Sequence, residues 1–332
     1  MVRYIINRLF SSILILIVIT IVAFTIIQIP PGDFAEVYKA ELVALGGTSE
    51  EQAEEAANRL RDKYGLLDPI PIQYIKWIGA IVLRGDFGWS FSQRVDVSDL
   101  LAQRLPRTLW IALSAHAISS LVGIALGIYV ANRQYSFADN TAAAFAFFAT
   151  SFPRFSIALI IMYFLAFGLG WEHVSAMHSP EFRYAPWSVA KAVDLLKHVG
   201  PVILIAGLGG VARNLRVMRG NLLDVLNQQY VTTARSKGLH ERRVLNRHAV
   251  PNALHPIIAY QGTVLPYMLQ GELEAAIVFG LPTIAPMFAE ALLKQDVFLS
   301  GSIMLLYGIL LIAGNFIADM ALGVLDPRIS YS

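Results

Sequence analysis

Long uncharged apolar stretches recur along the chain, and they constrain its fold more than any other feature. Six are of a length that suits a membrane-crossing helix, which needs about 20 predominantly apolar residues. They fall at about residues 9–29, 108–130, 141–169, 201–217, 257–279 and 300–322. Lipid offers the backbone no hydrogen-bond partners, so each crossing must be helical. The pattern predicts an all-α polytopic membrane protein, with residues 1–332 as a single transmembrane domain of six transmembrane helices.

Composition agrees with a membrane protein and excludes several other classes. Hydrophobic residues make up 56% of the chain and charged residues only 15%. The net charge of +2 gives no support to nucleic-acid binding. The chain has no cysteine, so we expect neither disulfides nor thiolate metal sites. It also lacks the Gly-x4-Gly-Lys-Ser/Thr pattern, so ATP would have to be bound by another polypeptide.

Basic residues predict the orientation of the spans. Arg3 and Arg8 precede the first span, Arg133 follows the second, and Arg213 and Arg219 lie at the end of the fourth. The positive-inside rule then places both termini in the cytoplasm, including the tail LDPRISYS. The first apolar run is too long for a cleavable signal peptide.

Residues 30–104 form a polar segment that this topology places outside the cytoplasm. Thr48 or Ser49 can cap a helix that closes at Gly65, and Pro71–Leu83 can form a second, amphipathic helix. We therefore predict an extracytoplasmic helical segment after the first span.

Small residues and a proline modify two of the predicted spans. Gly123 and Gly127 form a small-xxx-small face in the second span, which we interpret as close helix packing. Pro153 breaks the third apolar run and predicts a kink near mid-membrane. Residues 171–198, which follow, are polar and return outside.

Residues 220–256 form a polar, basic stretch between the fourth and fifth spans. We predict two short helices joined at Gly238, with Asn221 capping the first and Pro251 stopping the second, Glu241–Ala249. Gly238 follows two cations, as a left-handed helix-closing residue does. The first helix carries apolar residues at four-residue steps: Leu222, Leu226, Tyr230 and Ala234. Such a loop can fix orientation by lying on anionic lipid, or it can dock an apolar ridge with a charged rim into a soluble partner.

The string YVTTARSKGLHERRVLNRHAVPNALHP resembles the cytoplasmic coupling loop of ATP-binding-cassette (ABC) importer permeases of the dipeptide, oligopeptide and nickel class. The general pattern of that loop is Glu-Ala-Ala, three residues, Gly, nine residues, then Ile-x-Leu-Pro. Ala234, Gly238 and Pro251 match at this spacing, whereas the glutamate and isoleucine are absent. The passages GLLDPIPIQYIKWIGAIVLRGDFGWSF, QRLPRTLWIAL and LDPRI extend the resemblance over nearly the whole chain, to the first (B-type) permease subunit.

The resemblance implies a type I ABC importer permease fold in a bacterial inner membrane, and a transport subunit that is not an enzyme. It implies a heterodimeric pore with a sister permease, two cytoplasmic ATPase subunits that bind ATP and Mg, and an extracytoplasmic solute-binding protein. No cofactor is expected in this chain. The residues implied to dock on the ATPase are Tyr230, Thr232, Thr233, Ala234, Arg235, Lys237, Gly238, Leu239, Arg242 and Arg243.

The chain departs from the class after its fifth span. Ala276 stands where relatives carry a glutamate, and Thr283, Ile284 and Ala285 replace Gly-Leu-Gly. The solute therefore stays open between peptides and a related solute such as oligosaccharides or nickel.

Three charged residues lie within predicted spans: Arg154, Glu272 and Glu274. A charge at the bilayer centre costs about 2.5–3.5 kcal/mol on insertion scales, so each needs a partner or a watery path. Glu272 and Glu274 are two residues apart on a helix and must point to different sides. Arg154 can pair with one glutamate, a glutamate can reach the outer surface, or these residues can line a pore that contacts a polar or anionic solute.

Two other classes of protein find no support in the sequence. A self-sufficient secondary transporter would need inverted repeats or broken helices around a site, and the sequence has no convincing internal repeat. A membrane hydrolase would need a positioned nucleophile or metal pair, yet neither His-Glu-x-x-His nor Gly-x-Ser-x-Gly occurs.

Overall fold

The computed structural model describes residues 2–45 and 48–325, without the side chains of residues 2–9, 259, 262–271, 318, 319 and 321–325. The helices are α1 Val2–Ile27, α2 Phe34–Ala44, α3 Glu50–Tyr64, α4 Ile70–Arg84, α5 Val97–Ala131, α6 Phe137–Ser151, α7 Arg154–Tyr163, α8 Val189–Leu226, α9 Gln229–Ser236, α10 Glu241–Val244, α11 Val250–Val278, α12 Ile284–Leu293 and α13 Val297–Leu325. Two π turns, Phe164–Gly168 and Leu245–Ala249, a 3-10 turn at Pro180–Phe182 and a hairpin of β1 Trp89–Ser90 with β2 Val95–Asp96 complete the described elements.

Among the described residues, α1, α5, α8 and α13 are long and apolar enough to cross a membrane. The bent pair formed by α6 and the helical residues from Arg154 to Gly168 makes a fifth candidate. The predicted fifth span lies within α11, where ten consecutive side chains, residues 262–271, are outside the description. The prediction of a mostly helical protein with several membrane spans is confirmed, apart from the short β1–β2 hairpin, and the count of six spans stays a prediction. The predicted cytoplasmic tail, LDPRISYS, lies almost entirely outside the described residues.

The chain divides into two compact units. Of the described residues, the first unit contains those up to Pro106 together with Pro286–Ile312, and the second contains Arg107–Ala285 together with residues 313–325.

Capping residues shape the helices that follow α1 in the first unit. Ser49 caps α3 in a capping box with Gln52, and Gly65 closes the same helix with a φ of 64°. Asp33 caps α2 and accepts two hydrogen bonds from Arg61 at 2.7 and 3.1 Å, which fixes α3 against the start of α2. The cap at Ser49 and the closing glycine confirm the prediction made from the sequence.

A buried carboxylate anchors the hairpin of the first unit. Asp296 is fully buried and accepts hydrogen bonds from the Ser90 hydroxyl at 2.7 Å and from the Ser92 amide and hydroxyl at 2.9 and 2.8 Å. It also accepts the Leu299 amide at the start of α13. One side chain therefore holds both the hairpin and a helix terminus, which satisfies backbone donors that would otherwise be orphaned.

Small residues set the helix packing of the second unit. A Cβ on Gly123 would lie 2.7 Å from the carbonyl oxygen of Val211, and one on Gly127 would lie 2.6 Å from Cβ of Met218. The two glycines therefore let α5 and α8 approach closely, which confirms the packing interpretation of the small-xxx-small face.

We expect Gly127→Ala to destabilise the protein by about 1–3 kcal/mol, because the added methyl group has no room between α5 and α8. Gly220→Ala is the matched control, since Gly220 lies on α8 with nothing within 4 Å of an added Cβ. It should be neutral or stabilising by up to about 1 kcal/mol. The midpoint of thermal aggregation of the detergent-solubilised protein distinguishes the two, and equal midpoints would contradict the packing account.

The break in the third apolar run is sharper than a kink. The axes of α6 and of the helix that begins at Arg154 differ by 99°, with Phe152 and Pro153 between them. Proline cannot donate its backbone nitrogen and disfavours a helical residue before it, and Phe152 is extended accordingly. The predicted position of the break is confirmed. Because the bend is so large, α7 begins as a separate helix with its own N-terminus.

Candidate functional site

The polar stretch at residues 220–256 begins differently from the prediction. A first helix starting at Asn221 is wrong, because α8 runs without interruption to Leu226. Leu222 is fully buried against Met218 and Ala253, and this packing outweighs the capping preference of asparagine. The Asn221 amide instead donates to the carbonyl oxygen of Ala253 at 3.2 Å, which ties α8 to α11.

A separate helix, α9, follows after an extended Gln228. Its Val231 and Ala234 are buried in a cluster with Val244, against which Val225, Leu226 and Leu239 also pack. Tyr230, predicted to lie on the apolar stripe, is 44% exposed, so that part of the prediction is wrong. The apolar ridge of α9 faces the protein's own chain and fixes the helix in place.

The opposite face of α9 is polar and exposed. Thr232 and Thr233 lie on it, and the Thr233 hydroxyl donates to the carbonyl oxygen of Gln229 at 2.9 Å. The remaining exposed members of the predicted docking set continue this surface: Tyr230, Arg235, Lys237, Gly238, Arg242 and Arg243. Ala234 is buried and Leu239 half-buried, so these two support the surface from beneath.

Gly238 closes the loop in the left-handed conformation, with a φ of 73° and nothing within 4 Å of an added Cβ. The predicted left-handed glycine is confirmed. The position requires glycine for its backbone conformation alone, since a side chain there meets open space.

An ion pair bridges the turn at Gly238. Arg235 donates from Nη2 and Nε to the two carboxylate oxygens of Glu241, at 2.7 and 3.1 Å. These bonds hold the pKa of the Glu241 carboxyl below its usual value. We call this pair, which joins the end of α9 to the start of α10, the clasp. The sequence prediction assigned Arg235 to docking and overlooked Glu241, although their placement on either side of a turn glycine was a usable signal.

We expect Arg235→Gln to loosen the loop with little loss of global stability, because an exposed ion pair contributes only about 0.2–1 kcal/mol. The doubly substituted Arg235→Glu/Glu241→Arg protein should restore the bridge. The clasp should hold at neutral pH and weaken only as the pH falls through the lowered pKa of Glu241. Proteolytic nicking between residues 235 and 242 measures loop order, and a double variant cleaved as fast as the single one would refute the clasp.

The second helix of the stretch is not stopped by Pro251, contrary to the prediction. The helical residues of α10 pass through the π turn Leu245–Ala249 into α11 without a gap. Pro251 lies in the first turn of α11, where its missing N–H is tolerated. The π turn pairs the Val250 amide with the Leu245 carbonyl, and the Asn252 amide side chain donates to the His248 carbonyl at 2.8 Å.

The three predicted intramembrane charges lie in the second unit and take different environments. Glu272 is fully buried, with Thr283 as its polar neighbour. Glu274 is half-buried, and one of its carboxylate oxygens accepts the Phe155 amide of α7 at 2.9 Å. The expectation that the two glutamates point to different sides is confirmed, and Glu274 caps the helix N-terminus opened by the break at Pro153.

Arg154 lies beside α8, and its Nη2 would be 2.9 Å from a Cβ on Gly209. The described side chains include no carboxylate within ion-pair distance of Arg154, so the alternative of an Arg154–glutamate pair is wrong in this structure. Arg154 and the capped N-terminus of α7 therefore place a guanidinium, a carboxylate and polarised backbone amides together at a broken span. Such irregular backbone occurs within membranes only where it is buried in protein or lines a cavity.

Residues 123–331 match the family described as the binding-protein-dependent transport system inner membrane component. The chain belongs to this family. Residues 1–112 of the permease match a second family, described as the N-terminal part of the membrane component of binding-protein-dependent transport systems. The permease is 32% identical to the oligopeptide transport system permease protein AppB of Bacillus subtilis, over the full length of both chains.

Two other relatives are also described as peptide permeases. A peptide permease protein of Brucella ovis is 32% identical over 99% of each chain. A peptide ABC transporter permease protein of Sinorhizobium fredii matches at the same identity and coverage. The chain is therefore a membrane transport component, a permease subunit of a binding-protein-dependent system, and a self-sufficient secondary transporter is not favoured.

Proposed function

We propose that this permease forms half of the pore of an ATP-driven importer of peptides. The observation that supports it most is the loop from α9 to α10. Its inner face is fixed on the permease by Val231, Ala234 and Val244, and its outer face presents hydroxyls and cations. A lipid-bound loop would have its apolar residues turned outward, whereas here they are turned inward. Such a surface suits a charged protein groove.

The remaining partners follow from the family and the charge pattern. A sister permease would supply the other half of the pore, two cytoplasmic ATPase subunits would bind ATP and Mg, and an extracytoplasmic protein would deliver the solute. We propose six spans, with both termini in the cytoplasm of a bacterial inner membrane and residues 30–104 outside.

The loop transmits motion because it is fixed to two spans at once. α9 packs on the ends of α8 and α10, and the clasp joins α9 to α10. When ATP draws the ATPase subunits together, the loop moves with them as a body and shifts α8 and α11. The transporter then alternates between inward- and outward-open states, and ATP contributes through its different affinity for the two.

Arg154 is the proposed solute contact within the pore. A guanidinium binds carboxylates through charge-assisted hydrogen bonds, and every unmodified peptide has a carboxylate end. Glu274 accepts the Phe155 amide at the start of α7, and we assign it the role of holding this helix terminus beside Arg154. Glu272 is buried within the chain, and we assign it to the support of the Thr283 turn.

Peptide is favoured over oligosaccharide because the relatives are described as peptide permeases. The sequence alone did not decide between these solutes, because the chain differs from the peptide-permease class at Ala276 and Thr283. The test is to purify the permease with its associated ATPases and binding protein and to identify the ligands that the binding protein retains. Peptides that stimulate ATP hydrolysis in the assembled complex support the proposal, and stimulation by an oligosaccharide alone refutes peptide as the solute.

A further inference from the structure

The segment at residues 171–188, which precedes α8, and the first turns of α8 up to His198 enclose a cleft of about 560 Å³. It lies within the second unit, apart from the loop and from Arg154. This volume falls within the range of small-molecule sites, which is about 300–1,000 Å³. Trp171, Phe182 and Val193 supply apolar walls. The exposed charged side chains at the cleft are Glu172, Glu181 and Lys197, and a further carboxylate, Asp194, lines it from a buried position.

A buried carboxylate holds the frame of the cleft. Asp194 is 7% exposed and accepts the Ser179 amide at 3.0 Å and the Ser179 hydroxyl at 2.6 Å. His178 Nδ1 lies 3.2 Å from the same carboxylate, and the Nδ1 of buried His198 donates to the Asp194 carbonyl at 2.8 Å. These bonds fix the turn at residues 178–182 onto α8, so the cleft is built from ordered parts.

The charged residues at the rim contrast with this frame. Glu172, Glu181 and Lys197 are exposed, and within the described part of the chain none of them makes a hydrogen bond or an ion pair. Two carboxylates and one ammonium are therefore available to a ligand from one concave surface. A ligand with a single charge would leave one sign of this set unmatched, whereas a zwitterion complements both.

We propose that this cleft binds a short peptide by its two ends. Glu172 and Glu181 contact the terminal ammonium, Lys197 contacts the terminal carboxylate, and an apolar side chain lies between Trp171 and Phe182. The inference rests on the proposed function for its choice of ligand and concerns a separate site. The charge pattern predicts this segment outside the cytoplasm, where an arriving peptide meets it before the pore.

The test uses the assembled transporter in nanodiscs without its binding protein. The probe is a dipeptide with free termini and a diazirine side chain, crosslinked by light and located by mass spectrometry. We expect saturable labelling of residues 171–198 that an unmodified dipeptide competes away. The N-acetylated, C-amidated dipeptide should not compete, because it lacks both charges.

Two substitutions and a control define the site. Lys197→Gln and Glu181→Gln should each weaken labelling about tenfold, as expected for the loss of one charge-assisted hydrogen bond. Arg183→Gln removes an exposed cation of the same segment that does not line the cleft, and it should leave labelling unchanged. Equal labelling of all three variants would overturn the proposal, as would labelling confined to the surroundings of Arg154 while peptide uptake persists. Absence of peptide uptake by the unsubstituted complex would instead overturn the proposed function.

Discussion

Replacing Gly238 with valine is expected to leave the permease folded and assembled but to uncouple ATP hydrolysis from uptake. The residue has a φ of 73°, a conformation that costs a β-branched side chain about 1–3 kcal/mol. The added side chain meets open space within the chain, so the strain acts on the backbone turn between α9 and α10 alone. Such a penalty corresponds to roughly a tenfold or greater loss of the competent loop conformation. Solute transported per ATP hydrolysed, measured in proteoliposomes, should fall by a similar factor.

Gly85→Val is the matched control for this prediction. Gly85 closes α4 with a φ of 67° and also has nothing within 4 Å of an added Cβ, so the local strain is alike. It lies in the segment at residues 30–104, which is not part of the loop from α9 to α10, and its substitution should leave the uptake-to-ATP ratio unchanged. Gly238→Asn should fall between the two, since asparagine tolerates a positive φ. Full coupling in Gly238→Val would remove the loop from the transport cycle.

Arg154→Met is expected to abolish uptake while the complex still assembles. Methionine keeps the length and apolar body of the side chain and removes the charge, so insertion into the membrane becomes easier. The lost guanidinium would have bound the carboxylate of the solute through charge-assisted hydrogen bonds. Initial rates of peptide uptake, measured across a range of concentrations, should fall to the background level, a loss of at least about tenfold.

The control for Arg154 is Arg133→Met, which removes an arginine that lies over the Tyr129 ring at the exposed end of α5. That substitution should leave uptake kinetics close to those of the unsubstituted permease. Unchanged kinetics in Arg154→Met would assign Arg154 to packing beside Gly209 rather than to the pore.

The sequence predicted correctly those features of the fold that depend on a few neighbouring residues. A capping box at Ser49, a left-handed glycine at Gly238 and a proline break at Pro153 each depend on a few neighbouring residues. The close approach of α5 and α8 at Gly123 and Gly127 could also be predicted, because small residues four apart in a span are typical of close helix packing. The family resemblance rested on the loop around Gly238 and on three further passages of the chain, and the matches over residues 123–331 and 1–112 confirm it.

The wrong predictions concern positions where contacts with residues distant in sequence outweigh the local helix-capping or helix-breaking preference of a residue. Asn221 has the chemistry of a helix cap, but the burial of Leu222 against α11 keeps α8 helical beyond it. Pro251 was expected to end a helix, yet the π turn before it lets the helix continue. The position of Glu274 as a cap on α7 required knowledge that α11 passes the break at Pro153, and no spacing in the sequence contains that information.

We propose that the exposed face of α9 lies against a cytoplasmic ATPase, and cysteine crosslinking can measure this contact directly because the chain has no cysteine of its own. A single cysteine is introduced by Thr232→Cys, or by Leu67→Cys at an exposed position in the segment predicted outside the cytoplasm. Each variant is treated in the assembled complex with a short thiol-to-amine crosslinker. We expect a crosslink to the ATPase from Thr232→Cys and none from Leu67→Cys. If Thr232→Cys forms no crosslink to the ATPase in an assembled, transporting complex, the exposed face of α9 is not the docking surface.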